Sequence, residues 1–226
     1  AEMEIQSLFM RLFGVNVLTL PALGVAEERL PEIEISMVLD ISGSMGSANR
    51  MVNMQPAARE FVTAMLAPND NDEGETYVSI SIVPYNGRVS LGAPLDGVFA
   101  LSDEHGESSC VRFADADFTT TSIDPATPLE RLAHWDRNGR NSDRWFQSPH
   151  CETDKYAAIL PWEHRESVLH AHIDSLDAEG WTAIDLGMTW AVGLLAPAAR
   201  PAAQALVASG TIDSQFNDRP SAYNND

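Results

Sequence analysis

Asp40-Ile41-Ser42-Gly43-Ser44 carries the densest concentration of chemistry in the chain. An aspartate is followed at alternate positions by two serines, so an extended or tightly turning backbone turns all three oxygens toward one point. Gly43 permits the turn. A carboxylate with hydroxyls is a hard, all-oxygen donor set. It suits magnesium, which takes near-octahedral oxygen coordination at about 2.0–2.1 Å and keeps several waters, so a ligand can supply the last position. Thr182 follows Gly180-Trp181 and opens an apolar segment of helical spacing, which makes it a further candidate hydroxyl. Its competing role is a helix cap.

Other chemistries fit the same residues less well. Ser42-Gly43-Ser44-Met45-Gly46 is a near miss for the Gly-x-Ser-x-Gly nucleophile elbow, with Ser44 as nucleophile. That reading needs an acid and then a late histidine in chain order. The candidates His164, His170 and His172 have no strand-end acid before them, and Asp40 would be left without a role. A phosphoryl-transfer aspartate would want a second acid where Ser42 stands. Cys110, His150 and Cys151 are too few for a four-ligand structural zinc site. His170 and His172, two apart, do not share a helix face. In a purely structural reading, the Asp-Ser-Gly-Ser turn holds no metal and caps the next helix.

The elements that must position these residues follow from the hydrophobic pattern. Ile33–Leu39 is dense in apolar residues, as in a central strand covered by helices on both faces. Met54, Ala58, Phe61, Val62 and Met65 fall at helical spacing, with Pro56 read as an early-turn proline and Ala67-Pro68-Asn69-Asp70 as the stop. Tyr77–Val83 alternates as a strand closed by Pro84, with Arg88–Leu91 as a hairpin partner. Val168, Leu169, Ile173 and Leu176 mark a helix running to Gly180. Ile184, Met188, Ala191, Leu194 and Leu195 mark another, stopped by Pro197, and the tail adds a short helix and turns. Ahead of the first strand, Ile5–Phe13 reads as a short amphipathic helix ended by Gly14. Extended chain follows and turns near Glu27-Glu28-Arg29. The order predicts α/β.

Between about residues 92 and 161 the chain is irregular, rich in Asp-Pro, Thr-Pro, Ser-Pro and Asn-Gly dipeptides. Loops of that length are usually functional or stapled. Trp135, Trp145, Phe146 and Trp162 are candidates for a small core of this insertion. Cys110 and Cys151 would close most of it if the protein is exported, and would be free thiols in a reducing compartment.

The chain has 226 residues, 44% of them hydrophobic, enough for an ordinary core. Its formal net charge of −19, from 33 acids against 14 bases, repels phosphate backbones and anionic lipid alike, which argues against nucleic acid as a partner. No apolar run approaches the roughly 18 to 20 residues that cross a bilayer. The chain begins at Ala1 and is expected to be a processed or excised piece.

Asp-x-Ser-Gly-Ser after an apolar strand and before a helix resembles the metal-ion-dependent adhesion site of von Willebrand factor type A domains. The resemblance maps the first loop of that site onto Asp40, Ser42 and Ser44, and the threonine of the second onto Thr182. Glu32-Ile33-Glu34-Ile35-Ser36, the insertion, and Ala183-Ile184-Asp185-Leu186-Gly187-Met188-Thr189-Trp190 followed by Leu194-Leu195-Ala196-Pro197 are similar to the Tad/Flp pilus-assembly, TadG-like proteins. The likeness runs over roughly residues 15 to 220. Two departures stand out: Gly180-Trp181-Thr182 replaces the family's Gly-Gly-Thr, and no strand ending in Thr-Asp-Gly follows.

The resemblance implies a Rossmann-like open sheet with helices on both faces, lacking its C-terminal strands and carrying the long insertion. It implies a lead-in over residues 1–28 and a partial type A domain over 29–226. It also implies Mg²⁺ (or Mn²⁺ or Ca²⁺) held weakly by Asp40, Ser42, Ser44 and Thr182. The expected partner is a protein that offers an acidic side chain to the metal, within a bacterial pilus or envelope assembly. The expected location is the periplasmic or cell-surface side of the envelope, with membrane attachment only through an anchor outside this chain. Binding rather than catalysis is expected, the alternatives being a Ser44 hydrolase or a structural domain without metal.

Overall fold

The computed structural model describes residues 2–5, 18–21, 32–69, 78–136, 149–153 and 155–223. It separates into two units, Ala1–Pro31 and Glu32–Asp226. In the first, β1 (Glu2–Ile5) and β2 (Leu18–Pro21) pair antiparallel. Ile5 therefore ends a strand. The rest of the expected Ile5–Phe13 helix, and the turn near Glu27, lie outside the described residues.

The second unit is α/β. Its order is β3 (Ile33–Asp40), α1 (Arg50–Leu66), β4 (Val78–Tyr85), α2 (Gly92–Asp96), β5 (Val111–Arg112), β6 (Glu130–Arg131), β7 (Leu160–Glu163), α3 (Glu166–Ser175), α4 (Ile184–Leu195) and α5 (Arg200–Ala208). The main sheet is mixed: β3 runs parallel to β4 from Ile33↔Val78 to Asp40↔Tyr85, and β7 is antiparallel to β4 on its other side. β5 and β6 form a separate ribbon within the insertion.

The alternation of β4 sorts the core into two layers. Val78, Ile80 and Ile82 join Leu39 and Ile41 against Met51, Ala58 and Val62 of α1 and Leu169 and Ile173 of α3. Val83 and Tyr85 turn the other way, toward Leu186, Trp190 and Leu194 of α4, Leu206 of α5 and Phe216. Helices thus cover both faces.

Several sequence expectations are corrected. β4, buried at every position, is the central strand; β3 is the outer strand among the described residues and only half-buried. Ile33–Leu39 is apolar on both sides because helices cover both faces, not because strands flank both edges. Pro84 does not close β4 but lies within it. Tyr85 O accepts from Ile41 N, which turns the backbone groups of Pro84 away from β3, beyond the last β7 pairing at Ile82, so no ladder donor is lost there. Arg88–Leu91 forms no hairpin: Asn86 N donates to Arg88 O in a turn, and β7 takes the antiparallel place.

Pro56 is the seventh residue of α1 rather than an early-turn residue, and Phe61 is 43% exposed while Leu66 is buried. α3 ends at Ser175, before Gly180. On α4, Ile184 and Met188 are exposed and the buried face is Leu186, Gly187, Trp190, Ala191, Gly193 and Leu194. Both glycines are close approaches: a Cβ on Gly187 would meet the Tyr85 ring at 2.9 Å, and one on Gly193 would meet Ile123 at 2.7 Å. The apolar face turns toward those contacts.

Cys110 and Cys151 form a disulfide across the insertion. Arg131 is its polar hub, gripping Asp96 through two hydrogen bonds of 2.8 and 3.0 Å and donating to the carbonyls of Ser108 and Ser102. The insertion's apolar centre is not the expected tryptophan set. Phe99 and Phe113 pack on Trp190 of α4, while Trp162 belongs to β7 and the main core. Trp135 is 37% exposed, and Trp145 and Phe146 lie outside the described residues. Among the described residues no single helix is long and apolar enough to cross a membrane; α4 and Pro197–Ala208 meet that test only together, across a 74° bend.

Candidate functional site

Asp40 is the last residue of β3, opposite Tyr85 at the end of β4, so the parallel pair delivers both side chains to the same rim. The Asp40 Oδ1 accepts the backbone N–H of Ser42 at 2.7 Å, and the Tyr85 hydroxyl donates to the same carboxylate. Burial, and then the Asp40 charge, raise the Tyr85 phenol above its ordinary value, so it stays a donor. The turn that follows puts Ser42 in the interior and Ser44 on the surface, with their hydroxyl oxygens 3.3 Å apart.

That spacing bears on whether a cation fits. A hydroxyl pair making a good hydrogen bond sits at about 2.7–2.8 Å. Two ligands on adjacent corners of an octahedron with about 2.1 Å bonds sit about 3.0 Å apart. The serine pair, at 3.3 Å, is longer than either figure. With Asp40 it makes an all-oxygen donor set of the chemistry a hard cation takes. No cluster of three or more histidine, cysteine or carboxylate residues able to hold a metal occurs among the described residues, so any cation site here depends on hydroxyls.

The second loop is fastened to the first by the backbone. Glu179 N donates to Ile41 O at 2.8 Å, and Gly43 N donates to Gly180 O at 3.0 Å. Gly180 has φ +81°, open to glycine and strained for other residues, and a Cβ on Gly43 would come within 3.1 Å of the Gly180 carbonyl. Two glycines therefore allow two loops to join edge to edge. Thr182 follows directly and is exposed. It is not the cap of α4: Ala183 holds that position, and its N–H donates to Asn86 O at 2.7 Å. The structure thus places Asp40, Ser42 and Ser44 on one turn and Thr182 on the loop fastened to it, with no hydrogen bond from Thr182 to the other three.

The remaining candidates are elsewhere. Cys110 and Cys151 are used in the disulfide, so neither is a thiolate ligand. Among the described residues no histidine bonds Ser44, whose carbonyl accepts from Arg50 Nη1. His164 lies against Phe216, 3.9 Å from Asp213. His170 bridges α3 to α1 through Thr63 and the Arg59 carbonyl. His172 is held to Ala158, and burial pushes its imidazole down to about 4.

Sequence reasoning missed the wall beside these loops. Trp181 does not crowd an empty glycine position: its ring meets His150 edge-on at 5.5 Å and Trp135 at 6.3 Å, while Trp135 stacks on His150 at 4.3 Å. Gly87 makes room, since a Cβ there would meet the Trp181 Cβ at 3.1 Å. Arg88 Nε donates to His150 Nε2 at 2.9 Å, tying the turn after β4 to the residue next to Cys151. The signal was present in the sequence as Trp181 beside Thr182 and His150 beside Cys151.

Comparison with protein-family models gives no match, and comparison with curated proteins gives none either. Among solved structures, the vWF domain of the type V pili tip protein Mfa5 from Porphyromonas gingivalis is similar over 68% of this chain, at 16% identity and a TM-score of 0.32. The chain spans 29% of the length of that structure.

Proposed function

We propose that this chain is a von Willebrand type A-like, cation-dependent protein-binding module, which binds rather than catalyses. The observation that supports this reading is the fastening of the turn at Ile41 and Gly43, which carries Ser42 and Ser44 behind Asp40, to Glu179 and Gly180, two residues before Thr182. Asp40, Ser42, Ser44 and Thr182 would hold Mg²⁺, or Mn²⁺ or Ca²⁺, as hard oxygen ligands. Bound there, the cation supplies a positive point that accepts an acidic side chain from a protein partner. The chain's own residues set the geometry: Tyr85 and the Ser42 N–H orient the Asp40 carboxylate, and Gly43 and Gly180 hold the two loops in register. Affinity for the cation alone is weak, because one carboxylate supplies the only charge among these ligands.

The finer assignment, also proposed, is a component of a bacterial pilus or envelope assembly of the Tad/Flp, TadG-like kind, on the periplasmic or cell-surface side. The disulfide supports an oxidising compartment.

The test is paramagnetic broadening by Mn²⁺ in amide NMR spectra. Amides of residues 40–46 and 180–183 are expected to broaden first, reversed by excess Mg²⁺, and Asp40→Asn should abolish the effect while the remaining spectrum is unchanged. Equal broadening in Asp40→Asn, or broadening confined to other acidic surfaces, would overturn the reading.

A further inference from the structure

A cavity opens one residue beyond Thr182. Ala183, Asp185 and Leu186 at the start of α4 face the insertion across a cavity of about 290 Å³. Phe113, Phe118, Leu132 and Leu186 line it together with two arginines, Arg88 and Arg112. Phe113 and Phe118 meet edge-on at 5.9 Å, yet Phe118 remains 42% exposed.

Arg88 is held for a purpose that its own bonds do not account for. Its N–H donates to the Asn86 side chain at 3.1 Å and its Nε to His150 at 2.9 Å, which fixes the guanidinium plane. Its two terminal nitrogens have no hydrogen-bond or ion-pair partner among the described residues. Asp185 acts on it only at a distance, and half-burial pulls the guanidinium below its ordinary value while leaving it charged. Arg112 is loosely paired with exposed Glu130 at 3.4 Å. Two guanidiniums are thus set against two acids, Asp185 and the more exposed Glu130, in a protein of net charge −19, and the guanidinium without an ion-pair partner among the described residues is that of Arg88.

We propose that this cleft binds an apolar carboxylate: a carboxylate on a group of about one aromatic or branched aliphatic side chain, presented as a free aromatic acid or as the C-terminal residue of a polypeptide. The chemistry follows from the lining. A planar guanidinium whose terminal N–H groups have no partner among the described residues matches a carboxylate in two parallel hydrogen bonds. The exposed Phe118 and the Phe113 edge offer an apolar body the surface it needs. The volume, about 290 Å³, lies just below the roughly 300–1,000 Å³ of ligand sites, which suits one side chain with its carboxylate and leaves the rest of a longer ligand outside. A phosphate without an apolar body would leave the phenylalanines unused. None of the residues lining the cleft is one of the proposed cation ligands.

The experiment is amide and side-chain NMR titration of the whole chain in metal-free buffer with three probes: N-acetyl-L-phenylalanine, N-acetyl-Gly-Gly-Phe with a free C-terminus, and the same peptide amidated. Both acids are expected to shift Phe113, Phe118, Leu186 and the Arg88 Nε–H, with the amide at least about tenfold weaker, the size of a lost charge-assisted hydrogen bond. Tighter binding of the peptide acid than of the free acid identifies a chain terminus as the source; equal affinity identifies a free acid. Arg88→Met should weaken both acids about tenfold or more. Because Arg88 also braces His150, exposed Phe118→Ser serves as a second variant, expected to weaken binding several-fold with the fold intact. Equal affinity for acid and amide, or no shift at these residues, would overturn the proposal. Metal-free conditions keep that outcome separate from the Asp40 reading, which Mn²⁺ broadening decides.

Discussion

Removing the Cys110–Cys151 disulfide by a double change to alanine tests how the insertion is held. The cysteines are 41 residues apart, so the cross-link deletes closure of a loop of that length from the unfolded ensemble. The chain-entropy relation assigns about 4 kcal/mol at 25 °C to such a loop. For a chain of this size each kcal/mol shifts Tm by about 2–4 °C, so the double variant should melt about 8–16 °C lower. Native-state terms add to this loss, since Cys110 and Cys151 are 1% and 0% exposed and the Cys110 N–H gives up Cys151 Sγ as its acceptor, while the Arg131–Asp96 pair still anchors the insertion. Calorimetry and urea titration of oxidised wild type and double variant provide the comparison. Burial also predicts that dithiothreitol at 25 °C leaves the native protein oxidised, while the same reductant during heating lowers the melting temperature to that of the variant. A loss below about 1 kcal/mol would refute the reasoning, since the unfolded insertion would then be constrained by something other than the cross-link.

Two further outcomes follow from close packing and from burial of charge. Gly187→Ala should destabilise by up to about 2 kcal/mol, because the new methyl meets the Tyr85 ring at 2.9 Å and Val38 at 3.0 Å, and overpacking of about 1–3 kcal/mol outweighs a helix-propensity gain of about 1 kcal/mol. Denaturant titration that finds the variant more stable than wild type would show that α4 has slack against the sheet. His172 is neutral in the fold, with its imidazole lowered to about 4, whereas the unfolded chain takes up that proton near 6.5. Stability is therefore lost as pH falls from 6.5 toward 4, by about 3 kcal/mol over the whole window and about 2 kcal/mol by pH 5. His172→Gln should remove that part of the slope, and identical wild-type and variant slopes between pH 7 and 5 would count against it.

Where the sequence carried a local physical signal, the elements were legible. The Asp40 turn lies between an apolar run and a helical period, so β3, the turn and α1 could each be placed from spacing alone. What failed was relational. Ile33–Leu39 has the same composition whether strands flank it on two edges or helices cover two faces, and nothing local separates those cases. The face of α4 was misjudged because glycine carries no hydrophobic signal, although Gly187 and Gly193 mark the tightest contacts of that helix. Arg88 could not be singled out, since its partner His150 lies 62 residues away and its meaning depends on a cavity closed by the insertion.

The insertion is coupled to the oxygen-lined turn rather than laid beside it. Trp181 stands between Gly180, whose carbonyl holds Gly43, and Thr182, and its ring rests on His150 and Trp135 of the insertion. His150 in turn holds Arg88, three residues after Tyr85, the hydroxyl that orients Asp40. A displacement of the insertion therefore reaches both loops of the candidate site through a ring on one side and a guanidinium on the other. This coupling matters more in a chain of net charge −19 than it would in a neutral one. At physiological salt, charge is felt over about 8 Å, so the general acidic field repels an approaching carboxylate while steering from afar is weak. Recognition of the proposed carboxylate would then be decided at short range, by donors held in fixed positions. The cross-linked insertion supplies that rigidity: Cys151 fixes the neighbour of His150, His150 fixes Arg88, and the cleft and the Asp40 turn share one rim built from residues 86–88 and 179–186.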